Sequence, residues 1–253
     1  MCTALARIKG EEAAGGNDSS PEFRTGHRRG GDPEAVEKPL YDQYVNVWKR
    51  DPLFERIVRD PRLTSVAQRL LGTDRIRLWH DHIISKPPNE SRHFWFHQDF
   101  YGWPLATPDL VSCWIALDDA TAANGCMHVI PRSHTDQRFG LAAWQRDRER
   151  KATDPSYRSA RDDVQELDAN AGTAVELSAG ECMFHHCLNF HATPENRTDR
   201  QRRAFIVIYM ADDVRVQRDR SPTHPLVPLL SVADGQPLPG NNFPLVAGVP
   251  RTA

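Results

Sequence analysis

The sequence lacks the cysteine spacing of a disulfide framework or of a small zinc-binding fold. It has five cysteines, an odd number, and no Cys-x-x-Cys pair, so neither a disulfide-stapled secreted domain nor a zinc knuckle is indicated. The first residues also lack the apolar core of a signal peptide. We therefore expect a cytoplasmic protein with reduced thiols.

Long hydrophobic runs and an excess of one charge sign are also absent. No apolar stretch approaches the roughly 18 residues that a membrane-spanning helix needs, and the formal net charge is −2. The composition therefore predicts no membrane and no nucleic-acid partner, and it leaves a small molecule as the default ligand. A hydrophobic fraction of 39% is low, so part of the chain is expected to be a solvated arm.

Composition divides the chain into three segments. Residues 1–36 are rich in Gly, Glu, Asp, Ser and Arg without periodicity, which predicts an irregular N-terminal arm. Residues 37–215 carry the periodic patterns of one folded domain, with a charged insertion at 136–170 that we expect to be exposed, as a helix or a lid. Residues 216–253 are Pro-rich and predict an extended C-terminal tail.

The folded domain begins with helical patterns. Apolar residues between Tyr41 and Trp48 have helical spacing. Asp51-Pro52 reads as an N-cap with proline at the first helical position, and a further short helix is expected to end at Gly72.

After Gly72 the period changes to two, which predicts strands. In one predicted strand, five alternating residues share a single face: Ile76, Leu78, His80, His82 and Ile84. Further strands are predicted at 111–117, 126–130, 173–177, 181–185 and 203–210. Asn124-Gly125 is a hairpin turn signal between the first two of these. Many short strands with turn signals predict a mainly β fold, a sandwich or jelly roll, with flanking α-helices.

The most informative stretch contains His97-Gln98-Asp99 at the end of an aromatic run. If the run is a strand, His97 and Asp99 share one face and Gln98 points away. Two such ligands and a distant imidazole would form the 2-His-1-carboxylate triad that holds Fe(II) and leaves coordination positions open. A second His-x-Asp, His134-Thr-Asp136, follows a loop-like stretch, and we interpret it as a turn.

Three histidines compete for the third position, namely His185, His186 and His191, and spacing alone does not choose among them. Downstream, an arginine pair, Arg202 and Arg203, opens an apolar strand. A guanidinium at the mouth of a buried strand suits a carboxylate, which it can hold with two parallel hydrogen bonds. An exposed arginine at a strand edge is the alternative interpretation.

Six separated motifs occur in one order, and together they resemble the phytanoyl-CoA dioxygenase family of Fe(II)/2-oxoglutarate oxygenases. They are Lys86-Pro-Pro, His97-Gln-Asp99, Trp114 with Ala116-Leu, Asn124-Gly-Cys, Pro131-Arg-Ser-His134, and His191-x-Thr193-x-x-Asn196 leading to Arg202. The resemblance covers roughly residues 40–215. It implies that the fold is a double-stranded β-helix, the jelly roll also favoured by the strand pattern.

The resemblance also implies roles for individual residues. The iron ligands would be His97, Asp99 and His191, and His186 would be a non-ligand histidine. Arg202 would bind the C5 carboxylate of 2-oxoglutarate, assisted by Thr193. Further cosubstrate contacts would come from Trp114 and His82. Asp99 is a carboxylate where related halogenases have a small residue, which favours hydroxylation.

The activity implied is that of a dioxygenase that uses Fe(II), 2-oxoglutarate and O2 to hydroxylate a small molecule. Phe100, Tyr101 and Trp103 follow the iron motif and are expected to line the substrate pocket. The Gly-Phe/Tyr motif that usually opens the family fold is not recognisable in residues 1–36, and Gln43 lies near the place of a basic residue that some members use. A jelly-roll protein that binds metal or ligand without turnover, or a zinc hydrolase, remains as an alternative.

Overall fold

Two antiparallel β-sheets face each other in the computed structural model, which describes residues 1–13 and 42–249. The larger sheet has the order β1-β2-β9-β4-β7, with β10 also paired to β2, and the smaller sheet has the order β3-β8-β5-β6. The strands are β1 (Asp42–Val45), β2 (Ile76–Lys86), β3 (Phe94–His97), β4 (Leu110–Ala116), β5 (Met127–Val129), β6 (Thr173–Val175), β7 (Cys182–His186), β8 (His191–Thr193), β9 (Arg202–Ala211) and β10 (Leu245–Ala247).

The chain crosses repeatedly from one sheet to the other, since β3, β5, β6 and β8 belong to the smaller sheet and the strands between them to the larger. This arrangement is a jelly roll, so the predicted mainly β fold is confirmed. Its interior lies between the sheets and is open enough to hold a site, while the outer face of each sheet needs a cover.

Helices cover the outer face of the larger sheet. They are α1 (Cys2–Ala13), α2 (Pro52–Val58) and α3 (Pro61–Leu71). As predicted, Asp51 caps α2 by accepting a hydrogen bond from the Leu53 N–H at 2.8 Å, and Gly72 ends α3 with a left-handed φ of 65°. Prolines occupy the start of both helices, where no backbone N–H is needed.

Strand β9 shows how the two faces are separated. Phe205, Val207 and Tyr209 pack against the helices, whereas Ile206 and Ile208 face the interior between the sheets. Both faces of this strand are therefore buried, which explains its nearly continuous apolar sequence.

The N-terminal prediction is wrong where the structure describes it. Residues 2–13 form α1 rather than an irregular arm, and Ala4, Leu5 and Ile8 are buried in the helix-side core. Three apolar residues at helical spacing gain enough buried surface there to order the segment. The remainder of the predicted arm, residues 14–36, lies outside the described residues.

The helix predicted over residues 41–48 is also wrong. Asp42–Val45 is the edge strand β1, and only a short 3-10 turn, Val47–Lys49, follows it. β1 pairs with β2, with Val45 opposite His82. The pairing available from β2 thus overrides a weak local pattern.

A β-bulge in β2 changes which of its side chains face the interior, so the prediction that Ile76, Leu78, His80, His82 and Ile84 share one face is wrong. The register with β9 shifts between Leu78 and His80, so that Trp79 is the extra residue. Ile76 and Leu78 consequently pack on the helix side, whereas His80 lies on the wall of the interior cavity. A single extra residue moves every later side chain of the strand to the opposite face of the sheet.

The connection around Asn124-Gly125 is not a hairpin, because β4 and β5 lie in different sheets. Asn124 ends a 3-10 turn, and Gly125 follows with a φ of 77°. The turn residues therefore serve a crossover between the sheets.

The C-terminal segment is not a separate extended tail. Leu226, Leu230, Leu238 and Phe243 are buried in the interior core, and β10 pairs with β2. The segment closes one end of the roll and belongs to the domain.

The charged insertion forms two helices, α4 (Leu141–Thr153) and α5 (Ala160–Gln165). Ala160 and Val164 of α5 pack against Phe96 and its neighbours on the outer face of the smaller sheet. Within residues 1–13 and 42–249, no helix is long and apolar enough to cross a membrane.

We expect Phe54→Ala to destabilise the fold by about 3–5 kcal/mol, because its fully buried ring packs on Phe205 with centroids 4.9 Å apart. Urea unfolding measures this change. Leu70→Ala in α3 is the control, since Leu70 is 56% exposed and should shift the free energy of unfolding by less than about 0.5 kcal/mol. Equal effects for the two variants would contradict the assigned core.

Candidate metal centre

Strand pairing brings two of the predicted ligands together. His97 ends β3 and His191 begins β8, and the two residues are direct partners in the antiparallel register. Their ring centroids lie 4.1 Å apart. Asp99 follows in a 3-10 turn, with its Oδ1 3.4 Å from His97 Nε2 and 3.5 Å from His191 Nε2.

Backbone carbonyls fix the orientation of both imidazoles. His97 Nδ1 lies 2.9 Å from the carbonyl oxygen of Trp95, and His191 Nδ1 lies 3.0 Å from that of Asn189. With Nδ1 as the donor in each ring, both Nε2 atoms keep their lone pairs toward Asp99. This is the outer hydrogen bonding that histidine ligands of metals normally have.

The pKa values of His191 and Asp99 leave both side chains unprotonated near neutral pH and therefore able to bind a metal ion. Burial, followed by the neighbouring His97, lowers the pKa of His191 to about 3, so the ring is neutral. Burial alone would raise the pKa of Asp99, but His191, His185 and His97 outweigh it and hold the pKa well below its usual value. The site therefore presents a neutral His191 imidazole and an ionised Asp99 carboxylate, the protonation states that metal ligation requires.

The donor set and spacing fit a divalent transition metal. Among the described residues, His97, Asp99 and His191 form a group whose ligand atoms all lie within 4.8 Å of one another. Both histidine Nε2 atoms lie 3.4–3.5 Å from Asp99 Oδ1, so the three side chains are close enough to share one ion. Ligands on one side alone leave positions open, as in non-haem Fe(II) oxygenases.

The two competing histidines lie outside the group of three ligands. His185 approaches the other oxygen of Asp99, with its Nε2 3.5 Å from Oδ2. His186 faces away and stacks on His134 with ring centroids 5.4 Å apart. The second His-x-Asp is a turn, as predicted, because Asp136 accepts a hydrogen bond from the Arg138 N–H.

Asp99 reaches the site by a different route from the predicted one. The strand ends at His97, and the 3-10 turn Asp99–Gly102 follows. Gln98 points away from the site, as expected, and its amide donates to the Leu188 carbonyl.

Phe100 and Tyr101, which we expected to contact the substrate, are not among the residues that line the cavity. Successive residues of a 3-10 turn point in directions about 120° apart, so these side chains turn away from the cavity that Asp99 faces. Phe100 is fully buried in the core. Tyr101 stacks on Trp144 of α4 at 5.2 Å. Trp103, the third predicted contact, does line the cavity.

A cavity of about 770 Å³ connects the metal centre with a wall of two buried cations. Arg202 is 2% exposed and donates from Nη2 to the Gly125 carbonyl at 2.7 Å. Lys86 is 1% exposed and donates from Nζ to the carbonyls of Thr193, at 3.2 Å, and Pro194. Burial, followed by the charge of Arg202, lowers the pKa of Lys86 to about 7.

Two adjacent buried cations are costly unless an anion neutralises them. Lys86 and Arg202 are direct partners in the register of β2 with β9, and the Arg202 guanidinium lies 5.4 Å from the ring centroid of Trp114. The neighbouring Arg203 points the other way along β9 and pairs with Asp118 at 2.6 Å. Strand alternation thus gives the two arginines different functions.

Only glycine fits at position 125, next to the cavity wall that contains Arg202 and Lys86. Its φ is +77°, and a Cβ atom there would lie 2.5 Å from the Pro194 oxygen and 3.2 Å from Lys86 Nζ. A side chain would therefore displace the carbonyls that hold both cations.

The cavity contains the remaining predicted cosubstrate residues, Thr193, Trp114 and His82, and also Gln43. The sequence analysis assigned no role to several other lining residues: Lys86, His80, Ser221, Thr223 and His224. Lys86 was visible as part of a motif and His80 as part of the period-two pattern. The C-terminal residues had no signal, because irregular segments carry no periodicity.

Comparison with known proteins places the chain in a family. Residues 12–204 match the family model described as Phytanoyl-CoA dioxygenase (PhyH). The chain belongs to this family. The resemblance drawn from the motifs is thereby confirmed. A probable phytanoyl-CoA dioxygenase of Caenorhabditis elegans is 28% identical over 172 residues, 65% of this chain and 53% of the relative.

Two further proteins are similar to this chain. An ectoine dioxygenase of Bordetella parapertussis is 27% identical over 165 residues, covering 62% of this chain and 53% of the relative. The chain thus matches about half the length of these curated relatives. The crystal structure of the non-heme alpha ketoglutarate dependent carbocyclase SnoK from nogalamycin biosynthesis has a TM-score of 0.68 and 25% identity, and it covers 97% of this chain and 88% of its own.

Asp99→Ala should weaken binding of Co(II) or Fe(II) to this protein, because it removes the only anionic side chain of the group His97, Asp99 and His191. The loss should exceed the 10–100-fold typical of changes outside the ligand set. Calorimetric titration under anaerobic conditions measures it. Asp136→Ala, in the other His-x-Asp, is the matched control and should bind as tightly as the unaltered protein. Equal affinities for the two variants would rule out this centre.

Proposed function

We propose that this protein is an Fe(II)- and 2-oxoglutarate-dependent dioxygenase that hydroxylates an unactivated C–H bond of a small molecule. The overall reaction converts substrate, 2-oxoglutarate and O2 into hydroxylated product, succinate and CO2. One observation carries the proposal: a triad of two histidines and one carboxylate shares a cavity with the buried Arg202 and Lys86. Ferrous iron, when bound, supplies the activation of O2.

Each part of the cavity has a separate task in this proposal. His97, Asp99 and His191 hold the metal from one side. Two neutral imidazoles and one carboxylate leave a charge of +1 on Fe(II), which attracts a dianionic cosubstrate. Arg202 and Lys86 offer charge-assisted hydrogen bonds to its distal carboxylate. Thr193, Trp114 and His82 are proposed as further cosubstrate contacts.

Hydroxylation rather than halogenation is proposed because Asp99 is present at the centre, with Oδ1 toward both histidines. A zinc hydrolase would use a similar donor set, but it has no need for the buried cation pair. A binding protein without turnover would retain both features. Turnover assays therefore decide between that alternative and the dioxygenase.

The proposed substrate is a small molecule, which agrees with relatives named for ectoine and for nogalamycin biosynthesis. A cavity of about 770 Å³ is within the range of small-molecule sites. Its wall also contains Trp103 and the imidazoles of His80 and His224, which suits a substrate with both an apolar face and polar groups.

We propose a cytoplasmic location and no nucleic-acid or membrane partner. Cys113, Cys126, Cys182 and Cys187 are free thiols, as expected in a reducing compartment. The net charge of −2 gives no electrostatic reason for binding phosphate backbones.

The central test is turnover. Purified protein with Fe(II) and 2-oxoglutarate should show a visible charge-transfer band without O2 and should release succinate with O2.

Arg202→Ala should raise the KM for 2-oxoglutarate by at least tenfold, since hydrogen bonds to charged groups contribute about 1.5–3 kcal/mol. Arg203→Ala is the matched control, because Arg203 pairs with Asp118 outside the cavity. No band and no succinate would end the proposal, and an unchanged KM in Arg202→Ala would refute the carboxylate site.

The affinity for 2-oxoglutarate should depend on pH through Lys86. Its pKa of about 7 means that the ammonium form is present below pH 7 and is lost above it. A bound carboxylate favours the ammonium form, so binding above pH 7 takes up a proton. Affinity should be level below pH 7 and then fall by up to about tenfold per pH unit. Titration of the charge-transfer band from pH 6 to 9 measures it. Lys86→Met should bind more weakly at pH 6 and lose this slope, whereas a slope retained in Lys86→Met would assign it to another group.

A further inference from the structure

The two oxygens of Asp99 have different surroundings. Oδ1 faces the Nε2 atoms of His97 and His191. Oδ2 faces two other groups, the Nε2 of His185 at 3.5 Å and the hydroxyl of Ser112, which donates to it at 3.4 Å. The carboxylate is therefore contacted on one oxygen by the metal ligands and on the other by two groups outside the ligand set.

Strand register puts these two groups side by side. Ser112 in β4 and His185 in β7 are direct partners in the antiparallel pair. Both point into the interior, because the neighbouring residues Cys113 and Phe184 pack on the helix side. Two adjacent strands of the larger sheet therefore present two hydrogen-bonding side chains at the same level, opposite the metal centre of the smaller sheet.

His185 does not belong to the metal-ligand group itself. Its nitrogens are outside the set of ligand atoms that lie within 4.8 Å of one another, yet its side chain is only 4% exposed. Both ring nitrogens are buried without another hydrogen-bond partner among the described residues. A buried imidazole is stabilised only when it finds a polar partner, and Asp99 Oδ2 is the acceptor it faces.

We propose that His185 is a positioning residue that, together with Ser112, holds Oδ2 of Asp99 so that Oδ1 alone binds the metal. The inference rests on the proposed metal centre. In this proposal the imidazole Nε2–H would donate to Oδ2, from which Nε2 lies 3.5 Å.

The consequence concerns the number of open coordination positions. A carboxylate that binds through one oxygen, with two imidazoles, leaves three of six positions open. A carboxylate free to rotate can bind through both oxygens and occupy one of those three. 2-Oxoglutarate and O2 together need all three in the proposed reaction. By engaging Oδ2, His185 preserves the position that a chelating Asp99 would take.

The test compares His185→Phe, which keeps ring size without a donor, with His185→Gln, whose amide can donate from nearly the place of Nε2. Co(II) binding to the metal-free protein is measured by calorimetry and by the visible spectrum, which reports coordination number and needs no turnover. His185→Phe should lose about 10–100-fold in Co(II) affinity and show a changed spectrum. His185→Gln should remain close to the unaltered protein.

Two further variants complete the design. His186→Phe makes the same change one residue along β7, where the ring faces away toward His134, and it should bind Co(II) normally. Ser112→Ala removes the second donor to Oδ2 and should weaken Co(II) binding by a smaller factor. If His185→Phe does not fold, as judged by circular dichroism, His185→Gln and Ser112→Ala decide the question by the same two readouts.

The outcomes separate this inference from the proposed function. Unchanged Co(II) affinity and spectrum in His185→Phe would overturn the positioning role while the metal centre stands. A spectrum in which His185→Phe and His185→Gln both lose a nitrogen ligand would also overturn it, because His185 would then bind the metal. Failure of the unaltered protein to bind Co(II) would instead remove the metal centre on which the proposed function depends.

Discussion

The pairing of β3 with β8 is the interaction on which the site depends. It places His97 directly opposite His191, although the two residues are far apart in sequence. Antiparallel register fixes the separation of paired Cα atoms at about 4.5–5.5 Å, and neither strand can slip by one residue without moving its histidine to the other face. The backbone carbonyls of Trp95 and Asn189 then orient the rings. The candidate metal centre thus depends on one strand pair and is completed by a carboxylate from the turn that follows β3.

Charge is distributed unequally along the cavity, and this asymmetry orients an anionic ligand. The metal end contains the anionic Asp99, and the far wall contains Arg202 and Lys86 within reach of the same space. The cations donate hydrogen bonds to carbonyl oxygens of Gly125, Thr193 and Pro194, which partly offset their loss of hydration. A dicarboxylate could satisfy both ends at once, with one group toward the metal and the other toward the cations.

How far the sequence predicts this arrangement depends on whether the deciding interaction is local. The candidate ligands and Arg202 could be singled out because motif spacing survives in the linear sequence, and the strands could be found from period-two patterns. The bulge at Trp79 could not, since it depends on the register with β9. The orientation of Phe100 and Tyr101 depended on a strand ending at His97 and a 3-10 turn beginning at Asp99. Periodicity does not specify such a change of backbone geometry by itself.

The cavity is therefore built from two kinds of structure with different constraints. The metal end and the cation wall lie on strands or on turns held by strands, where a change of one residue in length would shift the register. Much of the remaining wall comes from residues 221–226 of the irregular C-terminal segment, together with His80 just after the bulge in β2. Segments outside the sheets can change in length and sequence without disturbing strand pairing. The same separation explains why the motifs recognised in the sequence lie at the metal and cation ends of the cavity, whereas residues 221–226 carried no motif.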